Sequence, residues 1–98
     1  MINCKTITVE VWFLKDVRQC PPFGETYRPH FVIKDTDEYY SGIQFEDLQE
    51  VPFGEHVVTK VQLIYEAFGA DYSKFASGTQ FDIREGSRTV GKGIVIEN

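Results

Sequence analysis

Along residues 6–14 the side chains alternate. Ile7, Val9, Val11 and Phe13 fall on one face, and Thr8, Glu10, Trp12 and Leu14 fall on the other. A repeat of two is strand periodicity, because successive side chains on an extended backbone point to opposite sides. The same pattern returns in residues 56–65, where Val57, Thr59, Val61 and Leu63 oppose Val58, Lys60, Gln62 and Ile64. Residues 27–34 and 38–45 read as two further strands. Pro29 biases Arg28 towards an extended backbone and marks that end as a strand start or an edge. Residues 79–85 and 89–97 form a closing hairpin around Gly86-Ser87, where glycine suits a positive φ.

Turn-rich segments separate these runs. They are residues 16–25 with Pro21, Pro22 and Gly24, then Asp35-Thr36-Asp37, then Pro52-Phe53-Gly54-Glu55. Residues 68–78, with two glycines, read as a loop that holds at most one short helical turn. Six strands with short connections and no helical repeat point to an antiparallel barrel or sandwich. Closing the sheet would remove exposed edges.

Composition narrows the class. A chain of 98 residues suits one domain, spanning 1–98. Eight Phe, five Tyr and one Trp supply bulky core material for a globular fold. The formal net charge is −5, whereas a domain devoted to gripping phosphates is usually basic. No run approaches the roughly 20 apolar residues that span a bilayer, and no secretory signal is expected from the first residues. The expectation is a cytoplasmic protein with reduced thiols and no membrane partner.

The stretch Arg84-Glu85-Gly86-Ser87-Arg88-Thr89-Val90-Gly91-Lys92-Gly93 carries the most information. With Phe81, Asp82 and Ile83 it resembles the Phe-x-Ile-Arg-Glu-Gly-Gly-Arg-Thr-Val-Gly-x-Gly ending of the C-terminal β-barrel domain of translation elongation factor Tu. Three more motifs follow that family in order. Residues 6–15 resemble its first strand. Phe23-Gly24-Glu25-Thr26-Tyr27-Arg28-Pro29-His30-Phe31, with the Lys34-Asp35-Thr36-Asp37 turn after it, resembles the family's phenylalanine and Gly-Tyr-Arg-Pro-Gln-Phe motif. Pro52-Phe53-Gly54-Glu55 resembles a Pro-Gly-acidic turn with Phe53 inserted. The resemblance covers nearly the whole chain and implies a small six-stranded antiparallel closed barrel.

Departures from the family pattern bear on function. There is no Gly-x-x-x-x-Gly-Lys-Ser/Thr phosphate loop, and the nucleotide domain and middle barrel have no counterpart, so no nucleotide and no GTPase activity are expected. Thr26 replaces the glycine before Tyr-Arg-Pro. His30 replaces glutamine, and Asp82 replaces a small residue, at positions that by resemblance face the nucleotide domain. The loop at residues 67–78 is several residues longer than the family's.

Candidate chemistry is sparse. Arg28, Arg84, Arg88 and Lys92 could contact phosphates as positioning groups, or Arg28 and Arg84 could hold loops through carboxylates such as Glu85. Gly91 and Gly93 could admit a partner's backbone or relieve crowding in a barrel strand. Cys4, Cys20, His30 and His56 lack the spacing of a zinc site, and Asp35, Asp37 and Glu38 lack that of a calcium loop. No cofactor is expected. Trp12, Phe23, Tyr39, Tyr40, Phe53, Phe68, Tyr72 and Phe75 exceed what one small barrel should bury. They would then either cap its ends or face a partner.

The expectation is a stand-alone, non-enzymatic binding module. By resemblance its partner is a protein of the translation apparatus. RNA backbone binding through the four cations is one alternative. The other is a decoy or immunity-type protein that mimics the factor's surface and binds through residues 68–75.

Overall fold

The computed structural model describes residues 5–24, 26–65 and 69–98. Its strands are β1 (Lys5–Phe13), β2 (His30–Ile33), β3 (Tyr39–Tyr40), β4 (Ile43–Phe45), β5 (Val57–Leu63), β6 (Gln80–Glu85) and β7 (Arg88–Glu97). They form one antiparallel sheet in the order β3-β2-β6-β7-β1-β5-β4. No α-helix occurs among the described residues.

The sheet curls until its ends nearly meet. Phe45 N donates to the Tyr27 carbonyl at 3.1 Å, and Gly24 and Leu48 exchange backbone hydrogen bonds of 2.8 and 3.0 Å. The segment leading into β2 therefore runs beside β4, and the barrel is nearly closed.

The alternation in β1 is realised as read. Ile7, Val9, Val11 and Phe13 are buried, and Thr8, Glu10 and Trp12 are not. The single strand expected at residues 38–45 is instead two, which raises the count from six to seven. Gly42 adopts φ 72°, a conformation incompatible with a continuing strand. β3 pairs with β2 on one side of this corner, and β4 pairs with β5 on the other. Tyr39 is exposed while Tyr40 packs against the core, as alternation requires.

Two bulges bend β7. Its register shifts against β6 between Ile83 and Arg84, and against β1 between Thr8 and Val9. At the first shift Val90 is the extra residue, so Val90 and Gly91 are both buried in succession. Bulges of this kind supply the curvature that closure needs. In the β6–β7 hairpin, Gly86 has φ 64° and Glu85 pairs with Arg88, as the sequence led one to expect.

The core is strongly aromatic. Phe31 stacks on Phe81 with ring centroids 4.1 Å apart, and Phe75 meets both rings at 6.0 and 6.2 Å. Phe75 and Tyr72 come from the long loop, yet they are only 1% and 7% exposed. That loop is a plug in one end of the barrel. Gly78 N donates to the Val95 carbonyl, Thr79 Oγ1 to the Lys74 carbonyl, and Asn98 Nδ2 to the Phe75 carbonyl.

Candidate interaction face

Register builds the candidate site. On β6, Phe81 and Ile83 point into the barrel, so Asp82 and Arg84 point out. Across the sheet Asp82 lies between Val32 of β2 and Lys92 of β7, and Lys92 lies opposite Trp12 of β1. One line, Val32–Asp82–Lys92–Trp12, therefore crosses four strands on the outer surface. Beside it, His30 is opposite Arg84.

An aromatic–histidine pair brackets each end of the line. Trp12 stacks face to face on His56, with centroids 4.2 Å apart and planes 6° from parallel. His56 Nδ1 lies 2.8 Å from Glu10 Oε2; a carboxylate only accepts, so Nδ1 carries the proton. At the other end, the Tyr39 hydroxyl lies 2.8 Å from His30 Nδ1, and their rings are 4.6 Å apart. Lys92 Nζ is 3.4 Å from Asp82 Oδ1, a loose pair that contributes little stability at a surface. Val32 is buried without joining the core cluster, and Arg84 Nε is buried with no hydrogen-bond partner.

The remaining expected residues lie at one end of the barrel. There the carboxylate of Glu85 is held by Arg18, not by Arg28 or Arg84. Arg18 Nε donates to Glu85 Oε2 at 2.8 Å, and the Tyr27 hydroxyl donates to the same oxygen at 2.7 Å. Arg18 also lies 5.7 Å from the Tyr27 ring centroid and donates to the Cys20 carbonyl. Arg88 Nη1 donates to the Val17 carbonyl at 2.9 Å. Two arginines thus brace the turn-rich segment after β1. Arg28 is exposed beside a shallow depression of about 270 Å³ lined also by Arg18, Cys20 and Phe23, and it has no ion pair among the described residues.

The brace has a pH signature. Burial, then the hydrogen bond to Glu85 and its charge, push the Tyr27 phenol well above the ordinary tyrosine range, against the opposing charge of Arg18. The folded state therefore holds this proton more tightly than the unfolded chain. Its contribution is complete below the unfolded phenol's value near pH ~10 and is lost as the pH rises past it, by up to about 1.4 kcal/mol per pH unit. Urea unfolding between about pH 9 and 11 should show this decline, and Tyr27→Phe should flatten it. A residual slope is expected from Tyr40 and Tyr72, whose phenols burial also raises.

The four expected cations have different surroundings. Lys92 is paired with Asp82, Arg88 is committed to a loop carbonyl, and Arg84 stands among the outer-face groups. Tyr72 and Phe75, read as either capping the barrel or facing a partner, are core residues, and Phe68 lies outside the described residues. Phe23 and Tyr39 are the exposed ones, at 59% and 54%. His56 and Glu10 were not expected at the site; Glu10 lies two residues from Trp12 on the same face of β1, and the pairing of β1 with β5 brings His56 beside them. Among the described residues no three His, Cys, Asp or Glu side chains gather as metal ligands. Cys20 is a free, exposed thiol, and Cys4 lies outside the described residues. No helix among the described residues is long and apolar enough to cross a membrane. No protein-family model matches the chain.

Proposed function

We propose that this barrel is a non-catalytic protein-binding module, similar to the C-terminal domain of elongation factor Tu, whose partner belongs to the translation apparatus in the cytoplasm. The observation that carries the reading is the Val32–Asp82–Lys92–Trp12 line with His30 and Arg84 beside it. Aromatic and arginine side chains held by rigid strands are the groups that dominate protein interfaces. By resemblance, His30 and Asp82 occupy the surface that meets the nucleotide domain in the full-length factor. Ionisable groups there suit a partner other than an apolar domain face. The reading needs no nucleotide and no cofactor.

Arg28 favours a second reading, RNA backbone contact, because it is exposed and without an ion pair among the described residues. A decoy that mimics the factor through residues 68–75 would rely on exposed groups such as Lys74, because Tyr72 and Phe75 are buried.

The test is direct binding of the purified protein to elongation factor Tu, to its exchange factor and to aminoacyl-tRNA, at low and moderate salt. A protein partner should stay bound through the salt wash, and Trp12→Ala should weaken it about 30-fold while leaving the fold intact by circular dichroism. If no translation protein binds, or Trp12→Ala changes nothing, the proposal fails. Binding to tRNA that falls steeply with salt and is lost in Arg28→Ala would establish the second reading instead.

A further inference from the structure

Where β3 turns into β4, four tyrosines converge. Tyr39, Tyr40, Tyr65 and Tyr72 line one depression of about 270 Å³, and Ser41, Ala70 and Asp71 complete its described wall. Tyr39 and Tyr65 stand at the rim, half-exposed, and Tyr72 lies buried at the base.

The rings are fixed before anything binds. Tyr39 is held by His30. Tyr72 donates to the Ser41 carbonyl at 2.9 Å. Tyr40 lies edge-on to Phe75, with centroids 4.9 Å apart. The Tyr65 ring packs over Gly42, where an added Cβ would sit 2.7 Å from Tyr65 Cδ2 and 2.9 Å from the Tyr72 hydroxyl oxygen. Gly42 is therefore needed twice, for its φ and for the close approach of these rings.

Charge selects the occupant. Asp71 is exposed, and its Oδ1 accepts the Ser73 N–H at 2.9 Å; this bond holds the carboxyl below its usual range. No lysine, arginine or histidine is among the described lining residues. Lys74 is engaged with Glu38, and Lys5 lines the neighbouring depression rather than this one. Aromatic faces and a carboxylate both attract cations, and the chain as a whole carries a formal charge of −5. An anion would meet Asp71 unfavourably.

Size and openness point to a side chain rather than a free molecule. Small-molecule sites run about 300–1,000 Å³ and enclose most of their ligand, whereas here two of the four walls are half in solvent.

We propose that this tyrosine-lined depression is a docking pocket for a cationic side chain, arginine or lysine, presented by a partner protein. It shares Tyr39, and through it His30, with the outer face, but its Tyr65, Ala70, Asp71 and Tyr72 lie apart from the Val32–Asp82–Lys92–Trp12 line, so Asp71→Asn and Tyr65→Leu test it separately from the translation reading.

Nitrogen-15-labelled protein would be titrated with a short arginine-bearing peptide, with the same peptide carrying neutral citrulline, and with tetramethylammonium. The arginine peptide should bind with a millimolar or tighter Kd and shift the amides of Ser41, Ala70, Asp71 and Tyr72. The citrulline peptide should bind about tenfold or more weakly. Asp71→Asn and Tyr65→Leu, both at exposed positions, should each weaken arginine binding about fivefold without unfolding the protein. Equal binding of the citrulline peptide, or shifts confined to other surfaces, would overturn the proposal. So would tetramethylammonium binding as tightly as the peptide, because it would make this a site for a free cation.

Discussion

Replacing Phe75 by alanine is expected to destabilise the barrel by about 3–5 kcal/mol, the usual cost of removing a fully buried aromatic side chain. Phe75 is 1% exposed and touches Phe31, Tyr40, Tyr72 and Phe81. Little else could fill the void, since Phe31 and Phe81 are already stacked on each other. A loss of that size is a large part of the roughly 5–15 kcal/mol that holds a small domain folded. Urea denaturation would read it as a lower midpoint at similar m-value. A midpoint unchanged from wild type would mean that the long loop does not plug the core. The same variant is unsuitable for testing surface recognition, because any complex it lost would be lost through unfolding.

Gly93→Ala is expected to cost about 1–3 kcal/mol although it adds one methyl group. The new Cβ would lie 2.5 Å from Phe81 Cζ, 2.7 Å from Phe81 Cε2 and 2.9 Å from Val11 Cγ1. Phe81 cannot swing aside, because its ring is sandwiched in the aromatic core against Phe31 and Phe75. Register explains the arrangement: Gly93 sits between Val11 and Phe81, and Gly91 between Phe13 and Ile83. The two glycines leave room for their neighbours' rings, which favours crowding relief over admission of a partner's backbone. A double-mutant cycle with Phe81→Leu checks the cause. Leucine lacks the colliding ring atoms, so the double variant should be more stable than the sum of the single losses. Simple additivity would locate the strain elsewhere.

Strands were legible in the sequence where one face is buried and the period is intact, as in β1, β5 and the closing hairpin. The break at Ser41-Gly42 was not, because Tyr39-Tyr40 and Ile43–Phe45 both favour extended backbone. Only pairing to different neighbours shows that the chain turns a corner between them. Tyr72 and Phe75 were hidden for another reason: an irregular loop has no period by which to read an inward face. Four expected site residues, His30, Asp82, Arg84 and Lys92, do share the outer surface. Their meaning comes from partners that sequence separation conceals, such as His56 against Trp12 and Asp82 against Lys92. Arg18, which holds Glu85 across 67 positions, left no local signal.

The position of β1 has a consequence for how the molecule is made. β1 is flanked by β5 on one side and β7 on the other. During synthesis at roughly 5–20 residues per second, β1 is made before the other strands of the barrel and waits for β7, the last of them. Until then one edge of an apolar strand is unpaired and able to template the wrong partner. Local hairpins such as β6–β7 close within microseconds, but they cannot shelter β1 before they exist. The nascent chain therefore spends that interval with one edge of its most regular strand uncovered, and that interval is when a chaperone would matter most.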